Sequence, residues 1–128
     1  RRIAVISGVG FRHGHHIEEI AKIVAGQFDI IICSRRESLP DYALAMVARD
    51  IPMEEVATRL AAAIVAEGVP AENVLAIDLD TAAVDHALAM ARDGDLVVLL
   101  TGLVDWTWER LMRFAETRQG EQAGRQPD

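Results

Sequence analysis

Ile3-Ala4-Val5-Ile6-Ser7-Gly8-Val9-Gly10-Phe11-Arg12-His13-Gly14-His15-His16 opens the chain and decides its fold. Ile3 to Ile6 is a continuous apolar run rich in β-branched residues, as expected of a strand covered on both faces. Ser7 to Gly10 are small and glycine-containing, the composition of a turn. From Ile17 the period changes: Ile17, Ile20, Ala21, Val24 and Phe28 recur at helical spacing. The order is strand, glycine loop, amphipathic helix.

The same alternation continues along the chain, without an internal sequence repeat. Ile30-Ile31-Ile32-Cys33, Val74-Leu75-Ala76-Ile77 (ending at Asp78) and Leu96-Val97-Val98-Leu99-Leu100 read as three further strands, each nearly continuous in apolar residues. Val56, Leu60, Ala63 and Ile64 form a helical stripe behind the start signal Pro52 and Glu54-Glu55. Val84, Leu88 and Ala91 form another, with Asp80 or Thr81 as its cap and a stop near Gly94. A last helix is expected from about Trp106 to Thr117, with Trp108, Leu111, Met112 and Ala115 on its apolar side and Asp105 as N-cap. Trp106 and Trp108 stand two residues apart and cannot both face one core. Pro40 followed by Asp41 to Met46 suggests a short additional helix. Strands alternating with helices give βαβ units, and right-handed crossovers put helices on both sides of the sheet. The predicted fold is a three-layer α/β domain over residues 1–118 with a mostly parallel sheet. Residues 119–128 are polar, lack periodicity, and read as a flexible tail.

Length and composition bound the function. At 128 residues the chain suits one domain, and 51% apolar with 26% charged residues is a globular balance. A net charge of −7 argues against nucleic acid and anionic membrane as main partners. Aromatics are only 5%, too sparse for a base-stacking platform. No apolar run reaches the length that spans a bilayer. Cys33 is the single cysteine, so no internal disulfide can form, and a reducing, cytoplasmic setting is the simpler expectation. The chain begins Arg1-Arg2-Ile3, directly on a strand and without Met, and is expected to be part of a longer protein.

In open α/β sheets ligands bind beyond the carboxyl ends of the strands. That rule selects the loops Gly8 to His16, Ser34 to Ser38 and Thr101 to Asp105. Gly8 and Gly10 allow backbone to approach an anion, a helix N-terminus follows, and Arg12 and His13 add donors. The spacing of Gly8, Gly10 and Gly14 is GxGxxxG, neither the dinucleotide fingerprint nor a P-loop. Arg35, Arg36 and Glu37 follow the second strand, where paired arginines recognise phosphate or carboxylate by bidentate contacts. His13, His15 and His16 lie near the end of the strand that carries Cys33, but their spacing fits no standard metal-ligand pattern, and no metal is expected. No nucleophile elbow and no outstanding carboxylate pair is present.

Several of these residues carry a resemblance. Arg2 to Arg12, read R-I-A-V-I-S-G-V-G-F-R, is similar to the opening strand and G-x-G-D-R-like loop of the C-terminal domain of Mur ligases, closest to the cyanophycin-synthetase kind. Phe28 to Ile32 resembles that family's second strand, Ala83 to Gly102 its helix, Gly-Asp turn and final strand, and Trp108 to Leu111 its closing helix. The likeness covers about residues 1–114. It implies a Rossmann-like lobe of an ATP-dependent ligase in which a carboxylate is phosphorylated and then attacked by an amine. ATP and Mg2+ would be held mainly by another domain of the same chain, and the lobe, inactive alone, would close on an amino-acid or peptide substrate. Arg12 matches the loop arginine, and Arg36, ahead of Arg35, is the nearest match to a substrate-binding arginine. Phe11 and His13 stand where acidic residues are usual, Ser34 to Ser38 replaces an acidic and R-G-R-like run, and the preceding D-Y-x-H-N-P segment is absent from the sequence. Such a lobe should also show an apolar patch where the rest of the enzyme docks, and oligomers are open to it. The competing expectations are a free-standing NADP-binding module using Gly8, Gly10, Arg35 and Arg36, and a non-catalytic assembly domain.

Overall fold

The computed structural model describes residues 1–8, 14–36 and 51–125. Its elements are β1 (Arg2–Gly8), α1 (Gly14–Val24), β2 (Ile30–Arg35), α2 (Val56–Ala66), β3 (Val74–Leu79), α3 (Asp80–Met90), β4 (Leu96–Leu100) and α4 (Val104–Gly124). The strands form one parallel sheet in the order β3-β2-β1-β4. Ile3 pairs with Ile30, Val5 with Ile32 and Ser7 with Ser34, while Arg2 pairs with Leu96 and Ile6 with Leu100 on the other side. The chain winds outward through β1, β2 and β3, then jumps back beside β1. Right-handed crossovers therefore place α1 and α2 on one face and α3 on the other. The fold is the expected three-layer α/β arrangement.

Alternation of side chains assigns the two cores. Ala4, Ile6, Ile31 and Cys33 pack under α1 and α2 with Ile17, Ala21, Leu60 and Ile64. Ile3, Val5 and Ile32 pack against Ala83, Val84, Ala87 and Leu88 of α3. Burying an Ile or Leu completely is worth about 1.5–3 kcal/mol, so β1 and β2, apolar on both faces, anchor the domain. The outer strands differ from the expectation of burial on both faces. β3 alternates and β4 is half-exposed, because each is an edge strand of the sheet.

Helix boundaries moved for local reasons. α2 begins after a 3-10 turn at Met53–Glu55 that follows Pro52, and Arg59 bonds back to Glu55 at 3.1 Å. Phe28 lies beyond α1 and packs against the core from the loop before β2. Neither Asp80 nor Thr81 caps α3: Leu79 does, and Asp80 is the first helical residue. Ala91 is that helix's C-cap, and Gly94, at φ 90°, makes the turn that follows. Asp105 likewise lies inside α4, whose N-cap is Leu103. α4 also runs on to Gly124, past the expected end near Thr117 and into the stretch read as tail. Gln, Glu, Arg and Ala are good helix formers, no proline interrupts them before position 127, and Arg118 reaches Asp93 at 2.7 Å. The additional helix expected after Pro40 falls outside the described residues. Among the described residues no helix is long and apolar enough to cross a membrane.

Candidate functional site at the carboxyl rim of the sheet

Among the described residues, the buried polar ones gather at one end of the sheet. The buried polar or charged residues among those described are Ser7, Ser34, Asp80 and Thr107. Ser7 and Ser34 sit near the ends of β1 and β2, Asp80 directly follows β3, and Thr107 lies in the first turn after β4. All four are at the carboxyl rim. Ser7 and Ser34 alternate with Val5 and Ile32 and so lie on the α3 side of the sheet, where Asp80 begins α3. Their hydroxyls share a 2.8 Å hydrogen bond, and Thr107 shares one of 2.9 Å with Thr101. Burying a polar group is costly unless it is hydrogen-bonded, so a rim that concentrates such groups departs from pure packing.

Two arginines leave the end of β2 in different directions. Arg35 donates from Nε to Asp78 Oδ1 at 2.8 Å, pairing the ends of β2 and β3, where the register is irregular. With Asp78 half-exposed, such a pair contributes about 0–1 kcal/mol. Arg36 turns the other way, across the end of β1, and donates from a terminal nitrogen to the Gly102 carbonyl at 3.3 Å. Its Nε is buried and has no hydrogen-bond partner among the described residues. Gly102 is needed here for space: a Cβ would lie 2.7 Å from Arg36 Cδ and 2.9 Å from Cζ. Arg36 thus crosses the point between β1 and β4 where the strand order reverses, the crevice that open α/β sheets use for ligands. No described carboxylate lies within ion-pair distance of it.

The expected site is therefore partly assembled. Gly8 ends β1 at the rim, Arg35 ends β2 beside it, and Arg36 follows directly. Gly10, Arg12, His13 and Glu37, with Phe11, lie outside the described residues. His15 and His16 are in the first turn of α1 with ring centroids 4.2 Å apart. Cys33 is not with them: it is fully buried beneath α1 and α2, and burial pushes its thiol up to about 12. Among the described residues no three His, Cys, Asp or Glu side chains converge to hold a metal. Ser7, Ser34 and Asp80 are not among the binding residues expected from sequence: Ser7 reads there as part of a turn, Ser34 as the start of a loop and Asp80 as a helix cap. The signal for Ser7 and Ser34 is a polar residue closing an apolar run at the same end of the sheet; Asp80 stands two residues beyond Asp78, which closes the third run. The sequence matches no protein-family model, and no curated protein is significantly similar to it.

Proposed function

We propose that this chain is the cleft-closing, anion-binding lobe of a cytoplasmic ATP-dependent amide ligase of the Mur and cyanophycin-synthetase kind. The observation that carries the reading is Arg36, laid over the switch point between β1 and β4 without a described carboxylate partner, above a rim of buried polar groups. An arginine so placed offers N–H donors to a phosphoryl oxygen or a substrate carboxylate. Chemistry through an acyl phosphate depends on positioning and charge stabilisation, and on keeping water from a hydrolysable intermediate. A lobe contributes to each by bringing fixed positive charge and a shaped rim to a cleft. ATP, Mg2+ and most of the catalytic groups belong in this reading to another domain, and the joined substrates are an amino acid or peptide and an amine.

A second reading is favoured by one observation. The order β3-β2-β1-β4 is that of a dinucleotide-binding half, in which an arginine after β2 accommodates a 2′-phosphate. Arg35 stands at that position, and its bond to Asp78 would then have to be exchanged for the ligand.

Thermal unfolding with ADP, orthophosphate, aspartate, arginine, NADP and NAD separates the two, since a ligand that prefers the native state raises the melting temperature. The ligase lobe is expected to respond to ADP, phosphate or amino acid, to lose the response in Arg36→Gln, and to show no ATP turnover alone. A shift selective for NADP over NAD would replace it with the dinucleotide reading. Responses unchanged in Arg36→Gln would remove the observation on which the proposal stands.

A further inference from the structure

β4 is an outer strand of the sheet, and among the described residues one of its two hydrogen-bonding edges faces no neighbour. Edge strands of this kind are normally protected by charge, proline or a covering element. This one is not: Leu96 to Val104 contains no charged residue and no proline. Leu96 and Leu100 are 56% and 54% exposed. On the opposite face Val97 and Leu99 form, with Val104, Trp108 and Leu111 of α4, an open groove of about 300 Å³. Val104, Trp108 and Met112 continue that surface at one-turn spacing along α4, at 71%, 64% and 45% exposure. Trp106, two residues from Trp108, packs instead against the α3-side core.

We infer that this flank is a homodimer interface, in which β4 pairs antiparallel with β4 of a second copy to give one continuous sheet. The segment is complementary to itself. Centred on Val98, such pairing sets Leu96 opposite Leu100 of the second copy and Val97 opposite Leu99, so the half-exposed leucines cover each other. A two-fold axis perpendicular to the sheet keeps like faces on the same side. The two α4 helices then approach each other, and Trp108 and Val104 of each copy close the other's groove. The exposed parts of Leu96, Leu100, Val104, Trp108 and Met112 amount to roughly 600 Å² per copy. Covered completely, that is roughly 1,200 Å² for the pair, at the lower edge of the range of stable interfaces. A closed two-fold contact also leaves no edge exposed at β4, which a heterologous contact would not guarantee.

Sedimentation velocity of the 128-residue chain from low to high micromolar concentration tests this directly. The expected result is a species of twice the 14.0 kDa chain mass. Trp108→Glu and Leu100→Lys are expected to weaken dimerisation about 30-fold or more, as loss of a central aromatic anchor does. Both positions are largely exposed, so circular dichroism and the melting temperature of the diluted protein should show an intact fold. A chain that stays monomeric at all concentrations overturns the inference and leaves the flank to another domain or protein. A dimer indifferent to both substitutions overturns it as well, because the contact would then lie elsewhere.

Discussion

The guanidinium of Arg36, at the end of β2, rests on Gly102 in the loop after β4 and so reaches across the end of β1, the strand between them. The contact depends on a missing side chain. In Gly102→Ala the new methyl would overlap Cδ, Nε and Cζ of Arg36, and the long side chain, rather than the backbone, is the part free to move. The variant is expected to lose only about 1 kcal/mol of stability in urea unfolding. It should nonetheless lose phosphate or ADP binding to the same extent as Arg36→Gln. A variant that binds like the wild type would show that the placement of Arg36 on Gly102 is immaterial.

Leu60 of α2 is fully buried beneath the sheet with Ile31, Ile64 and Cys33. Leu60→Ala should cost about 2–5 kcal/mol, the transfer free energy of the lost atoms plus the cavity left behind. Ile23→Ala, on the same kind of helix but 69% exposed, should change stability by less than about 0.5 kcal/mol. Equilibrium urea unfolding of the two variants measures both.

The contrast between these positions was visible in the sequence, and so was most of the fold. Continuous β-branched runs with helical stripes between them admit few arrangements once crossover handedness is imposed, and β1 and β2 follow that rule closely. β4 reads the same as β2 in sequence yet is half-exposed, because strand order decides which run is central and apolarity alone does not. Helix caps were misplaced at Asp80 and Asp105 for a related reason: an acidic residue is favourable both at the cap and in the first turn, and sequence does not separate the two. At the site, Arg36 could be nominated from its place after β2. Its reach to Gly102 could not, since the two lie 66 positions apart and meet only through the β1–β4 pairing.

Cys33 offers a pH test. Its thiol is pushed up to about 12 by burial, above an unfolded value of about 8.5. A group whose folded value is raised favours the native state below the unfolded value, and that contribution declines as pH rises from there toward the folded one. The stability advantage of the wild type over Cys33→Ala should therefore be larger at pH 7 than at pH 10. In the native protein at pH 8 a disulfide reagent should react with Cys33 only at the rate at which the structure opens. Immediate labelling on mixing would contradict the packing described.

Asp95 offers the opposite sign. Hydrogen bonds from Arg1 at 2.8 and 3.2 Å, and then from the Arg92 backbone N–H at 2.8 Å, hold its carboxyl well below the usual carboxylate range. Its contribution is present above the ordinary value near 4 and is lost as pH falls below that through the folded value. The stability difference between wild type and Asp95→Asn should thus be greatest near neutrality and shrink on strong acidification. Urea midpoints measured across that range would reveal it, and a difference that does not change with pH would exclude the linkage.

The jump that returns the chain from β3 to the far side of β1 also sets when the domain can be completed. Arg1 meets Asp95, 94 positions away, and β4 can dock only after that whole length has been made. Pairings this distant are slow to form, and an unpaired strand invites misassembly while it waits. On the ribosome, β1 would keep one edge open until the residues through Leu100 had been made, so the arrival of β4 is the step that closes it.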